Sequence, residues 1–208
     1  MKRRDRKTFE EILAAVADDT RELRGSAKLR AALDAFGVEV RQRICLDVGA
    51  STGGFTTVLL ERDARKVYAV DAGFGQLLGS LRADERVVNL ERTNVADLTT
   101  MLVSDEIDLV TVDVSYLSLS SAVEQIGGLS FAAGAELVGL VKPMFELRRA
   151  SAPLDDTSLD EAIAAATKGA EAAGWSVLGS LRSPVTGAGG AVEGWIHARR
   201  SAPDARSR

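Results

Sequence analysis

The sequence contains one cysteine and one histidine. Cys45 alone can form neither an internal disulfide nor a cysteine metal cluster, and its place in an apolar run reads as a buried, inert thiol. His197 alone cannot supply a metal site and is read as packing or facing solvent on the last strand. No early stretch has the apolar core of a signal peptide or a membrane span, so a soluble, cytoplasmic chain with no membrane partner is expected. An excess of positive charge is also missing. Against 26 lysines and arginines stand 30 acids, and the formal charge of −4 excludes a wholly basic nucleic-acid binder while leaving room for a local basic surface. Basic residues gather at the two ends, in Lys2 to Lys7 and in Arg199, Arg200, Arg206 and Arg208. Solvated ends and RNA contact both fit them.

What is present is an alternation of apolar runs and helical patterns, the signature of an α/β layer structure. With 208 residues and 46% hydrophobic content the chain can bury one substantial core. Strands are predicted at Arg43 to Val48, Lys66 to Asp71, Val87 to Glu91, Asp108 to Asp113, Glu136 to Val141, Trp175 to Leu181 and Val192 to Ala198. Helices are predicted at Phe55 to Glu61, Ser120 to Phe131 and Thr157 to Ala173, with an amphipathic helix at Thr8 to Arg24 ahead of the domain. The last two strands are joined by Ser183 to Gly190 without a helix and should form an antiparallel hairpin at a sheet edge. Arg148 to Asp156 is polar, contains Pro153 and reads as a surface loop able to line a site. The expected organisation is a basic arm and helix over 1–25, one domain over 26–200 and a disordered tail over 201–208.

The richest motif is Asp47-Val-Gly-Ala-Ser-Thr-Gly-Gly-Phe55, followed by Val67-Tyr-Ala-Val-Asp71. It reads as a strand, a tight glycine loop and a helix start, then a parallel strand ending in an acid. It is neither the G-x-G-x-x-G of a dinucleotide site nor a phosphate loop with its lysine. Asp47 would repel a pyrophosphate but would attract the amino group of S-adenosylmethionine, leaving the cofactor's ribose to Asp71. Ser51 and Thr52 suit a helix cap. A structural turn with solvated acids is the alternative for the whole motif.

Ligands of an open α/β sheet bind beyond the carboxyl ends of its strands, where the sequence offers Asp113 and Lys142 side by side. Glu193 starts the last strand and Lys28 precedes the first. Each alone has a plain alternative: a solvated helix lysine, an edge-strand charge, a loop cap and a surface charge.

Six segments in order, Arg24-Gly-Ser-Ala-Lys-Leu29, Asp47 to Thr56, Ala69-Val-Asp-Ala-Gly-Phe-Gly-Gln-Leu77, Leu90-Glu-Arg-Thr-Asn94, Asp113-Val-Ser-Tyr-Leu-Ser-Leu119 and Lys142-Pro-Met-Phe-Glu146, resemble the hemolysin A (TlyA) family of FtsJ-like ribose 2′-O-methyltransferases. The resemblance implies a Rossmann-like class I S-adenosylmethionine-dependent methyltransferase fold. Its sheet would have seven mostly parallel strands, an antiparallel last strand and helices on both faces. It implies a Lys-Asp-Lys-Glu tetrad at Lys28, Asp113, Lys142 and Glu193, with Lys142 as the base. It implies cofactor contacts from Asp47, Gly49, Ser51, Gly53, Gly54 and Phe55 at the methionine end, from Asp71 to the ribose and from Asn94 near the adenine, with Asp113 also at the cofactor. No metal is expected, because methyl transfer from a sulfonium needs no Lewis acid. The implied substrate is RNA, typically a ribosomal cytidine in a ribosomal subunit. Three departures stand out. The family's N-terminal S4-type RNA-binding domain is not seen here, which raises the expectation of a separate RNA-binding partner. Gly190-Ala-Val-Glu193 lacks the family's asparagine, and Met144 stands where the family has glutamine. A non-catalytic S-adenosylmethionine-binding or ribosome-associated module is the second reading, and a membrane-active hemolysin the third.

Overall fold

The computed structural model describes residues 24–201 apart from 152 and 154. The predicted Thr8 to Arg24 helix, the basic arm and the tail beyond Ser201 therefore lie outside the described residues, Arg24 excepted. In chain order the elements are α1 (Arg24–Phe36), β1 (Ile44–Val48), α2 (Gly54–Glu61), β2 (Lys66–Asp71), α3 (Gly79–Arg82), β3 (Val87–Glu91), β4 (Ile107–Val112), α4 (Leu119–Gln125), β5 (Phe131–Val141), α5 (Pro143–Glu146), α6 (Asp156–Ala172), β6 (Trp175–Arg182) and β7 (Gly194–Arg200). One seven-stranded sheet runs β3-β2-β1-β4-β5-β7-β6, with β7 antiparallel to both of its neighbours. This is the Rossmann-like fold of the S-adenosylmethionine-dependent methyltransferases, as the sequence led us to expect.

Every residue of β1 is buried, because helices cover both faces of a central parallel strand. One cluster packs α4 and α6 against one face of the sheet through Val112, Val123, Leu137, Ala162 and Ala166. The other packs α1 and α2 through Leu29, Leu33, Val58, Leu59 and Trp195. Phe55 stacks on Trp195 with ring centroids 5.8 Å apart.

Several elements differ from the sequence reading, among them the four-residue helices α3 and α5, which were not expected. The helix expected to reach Phe131 stops at Gln125, a short 3-10 turn follows over Ile126–Gly128, and Phe131 already opens β5. The strand escaped notice because its first half is irregular: the β4 pairing jumps from Phe131 to Glu136, and Gly134 sits at φ +75°. Helix α1 itself was not expected, although Leu29, Ala32, Leu33 and Phe36 carry the helical spacing and the first three are completely buried. His197 is buried rather than solvent-facing. Its Nε2 lies 2.6 Å from Glu136 Oε2, and its ring packs on Phe36.

Candidate active site

The sheet order reverses between β1 and β4, and the loops leaving these two strands clasp each other. The Asp113 amide donates to the Val48 carbonyl at 2.9 Å, and Gly49 lies so close to Asp113 that a Cβ there would stand 2.3 Å from the Asp113 carbonyl oxygen. Gly49 also has φ +91°, a conformation only glycine adopts without strain. This glycine is thus required by the approach of two strand ends, and its neighbours are likewise turned to the protein. A Cβ on Gly53 would run into Leu81, and one on Gly54 would stand 3.1 Å from Gly25 Cα.

Asp47 has no exposed surface, and its two carboxylate oxygens accept from Thr56 Oγ1 at 2.7 Å and Thr111 Oγ1 at 3.1 Å. Burial pushes its pKa up to about 7, with the charge of Asp113 adding to the rise and the two threonine hydroxyls opposing it. Contacts from Asp47 and Phe55 to the methionine end were expected, and the structure places both residues in the interior. Asp47 braces the loop from beneath, and Phe55, 3% exposed, belongs to the core. Ser51 is exposed at φ +49° instead of capping the helix, and its amide donates to Asp71 Oδ2 at 2.8 Å. The other Asp71 oxygen accepts from the Gly73 amide at 2.7 Å. A carboxylate has about four acceptor sites, so two remain on Asp71 for a diol. The segment after β3 docks beside it, with Thr93 N donating to the Asp71 carbonyl, and leaves Asn94 exposed at the start of a short turn. The Ser51 hydroxyl donates to Gln76 Oε1 at 3.2 Å and Asn94 Nδ2 to Asp97 Oδ2 at 3.4 Å, so the open acceptor positions in this corner belong to Asp71.

Across the clasp Lys28, Asp113, Lys142 and Glu193, the four residues that the resemblance implies as a tetrad, form two ion pairs. Lys142 Nζ lies 2.5 Å from Asp113 Oδ1 and donates to Ser115 Oγ at 2.8 Å, so the ends of β5 and β4 are joined through it. Lys28 Nζ lies 2.5 Å from Glu193 Oε2, with side chains only 11% and 7% exposed. The plain alternative for Lys28, a solvated lysine, is thereby overturned. The antiparallel register of β7 explains Glu193: Val141 pairs with Gly194, so the residue before β7 falls at the carboxyl end of β5, near Lys142. It lies one residue ahead of the strand rather than within it. Lys28 arrives because α1 is anchored at its start, where Ser26 Oγ donates to the Gly54 carbonyl at 3.0 Å. Lys28, Glu193 and Lys142 border one cavity of about 680 Å³, walled also by Ser51, Ser115, Met144 and Pro153, and Asp113 reaches it only through its contact with Lys142. The expected Arg148 to Asp156 loop thus contributes Pro153 to the wall.

Sequence reasoning gave no role to Ser115, Ser26 or Glu146. Glu146 accepts from the amides of Leu119 and Ser120 at 2.8 and 3.1 Å, tying α5 to the start of α4 behind the site. The signal was available for Ser115, two residues beyond Asp113 in a quoted motif. Among the described residues no group of three or more His, Cys, Asp or Glu is placed to hold a metal ion.

The family model of FtsJ-like methyltransferases matches residues 22–200. The 16S/23S rRNA (cytidine-2′-O)-methyltransferase TlyA of Mycobacterium tuberculosis (strain H37Rv) is 42% identical over 181 residues, which cover 85% of this chain and 67% of that protein. The chain belongs to the hemolysin A (TlyA) family of FtsJ-like methyltransferases. Another family member, Hemolysin A of Brachyspira hyodysenteriae, is 37% identical over 184 residues, covering 84% of this chain and 75% of that one. Among solved structures, a candidate hemolysin from Streptococcus thermophilus superposes with a TM-score of 0.81 at 34% identity, covering 87% of this methyltransferase and 68% of that chain. A fibrillarin/Nop5p complex, at 16% identity and TM-score 0.61, shares the fold alone.

Proposed function

We propose that this chain transfers a methyl group from S-adenosylmethionine to the 2′-hydroxyl of a cytidine ribose in ribosomal RNA. The observation that carries the reading is the convergence of the Lys28–Glu193 pair and of Lys142, itself held by Asp113, on one cavity at the carboxyl ends of the strands. The relatives' substrate, rRNA cytidine, supports the choice of acceptor. S-adenosylmethionine, when bound, supplies an electrophilic methyl on a sulfonium. Asp71 would hold its ribose, Ser51 its methionine end and Asn94 its adenine, while Asp47, Gly49, Gly53, Gly54 and Phe55 shape the loop. Lys142 takes the proton of the attacking hydroxyl, which is a poor nucleophile near neutral pH. Asp113 and Ser115 each hold one side of its amine, leaving the third direction for the substrate. Lys28 and Glu193 fix the opposite wall, so that the acceptor oxygen is held in line rather than merely nearby.

Lys142→Met keeps the apolar stem and removes the amine. Transfer of labelled methyl to rRNA should fall at least a thousandfold, roughly the scale of losing a general base, while S-adenosylmethionine affinity measured by calorimetry changes less than about threefold. A variant that still transfers would remove Lys142 from the chemistry. One that no longer binds cofactor would make it a structural lysine.

A further inference from the structure

The hairpin loop between β6 and β7 contains a glycine for which backbone conformation gives no reason. Gly187 has φ −72° and ψ −170°, an extended conformation open to any residue. It lines the cavity, and its amide donates to the Ala191 carbonyl at 2.8 Å. A Cβ built on it would stand 2.3 Å from Glu193 Oε1 and 2.8 Å from Glu193 Cδ. The backbone is free to accept alanine; the Glu193 carboxylate is not. Glu193 in turn has little room elsewhere. It is 6% exposed, its Oε2 is committed to Lys28, and its own carbonyl accepts from the Ser183 amide at 2.9 Å across the hairpin.

We infer that Gly187 is a positioning residue: its missing side chain is the slot that seats the Glu193 carboxylate against Lys28. The inference rests on the tetrad reading above for its effect on transfer, and on geometry alone for its effect on Glu193. The small residue acts at the far end of a side chain, so a methyl group here displaces the carboxylate rather than unfolding the loop. The hairpin loop lines the cavity at this point, and any larger residue there would occupy the space that Glu193 holds.

The test is Gly187→Ala, alone and with Glu193→Ala, in the full chain. The expected single variant melts close to wild type, binds S-adenosylmethionine as tightly, and transfers methyl at least tenfold more slowly, with the loss in kcat rather than in KM for RNA. Its crystal structure should show the Lys28 to Glu193 contact opened beyond 4 Å, the conventional limit of an ion pair. In the Glu193→Ala background the second change should cost nothing, since the atom it strikes is gone; this comparison also decides the matter if the single variant folds poorly. Losses that multiply in the double variant, or a crystal structure with the ion pair intact, would overturn the inference. If the wild type itself transfers no methyl, the proposed function fails while the crystal structures still decide the role of Gly187.

Discussion

At the scale of single residues, Asp47 is buried where the sequence suggested a carboxylate facing a ligand. An acid before a glycine loop suggests an amine partner, yet the carboxylate is sealed between two threonine hydroxyls and its pKa is raised from 3.8 to about 7. Because the folded form binds the proton more tightly than the unfolded chain, the stability linked to this group is full below about pH 4. It erodes as pH rises and is lost above about pH 7, at a cost on the order of a few kcal/mol. Asp47→Asn keeps the shape, offers one acceptor and one donor to the threonines and cannot ionise. Its melting temperature should therefore gain on the wild type between about pH 4 and about pH 7. Parallel melting curves across that range would mean that Asp47 titrates normally. The same burial drives the Cys45 thiol up, in keeping with the inert role read from sequence.

At the scale of elements, the site is a meeting of strand ends, and the close contacts between them set its precision. Gly49→Ala would add a strained φ and press a methyl on the Asp113 carbonyl, a backbone atom with no rotamer to escape into. The expected destabilisation is about 2–5 kcal/mol, combining left-handed strain with overpacking, and chemical denaturation would measure it. A loss under about 0.5 kcal/mol, the range of neutral surface changes, would mean that the clasp is loose. The elements legible in the sequence were those whose periodicity is uninterrupted: β1, β2 and β3 end at the residues expected, and α6 is shifted by one. Those that were not legible depend on contacts distant in sequence. The bulged start of β5 is defined only by its partner β4, and α1 is a helix whose apolar face has meaning only once β1 and β7 lie beneath it. The four residues Lys28, Asp113, Lys142 and Glu193 were singled out through the family resemblance. Their pairing was not legible, because it depends on the reversed direction of β7, which carries Glu193 165 residues along the chain to Lys28.

At the scale of the whole molecule, the chain is acidic, and the two lysines that border the cavity are both held in ion pairs, so the cavity carries matched charges rather than a basic field. Arg149, one of the arginines beside the site, is likewise committed to Glu161 and Ser158. Among the described residues no helix is long and apolar enough to cross a membrane. The proposed function turns on its substrate. The most direct test is incubation of unmethylated ribosomal subunits, and of their naked RNA, with labelled S-adenosylmethionine, followed by alkaline hydrolysis. A 2′-O-methyl group removes the hydroxyl that attacks the neighbouring phosphate, so the account predicts label in an alkali-resistant dinucleotide whose 5′ residue is cytidine. Label on a base or on protein, or none from a chain that binds the cofactor, would contradict it.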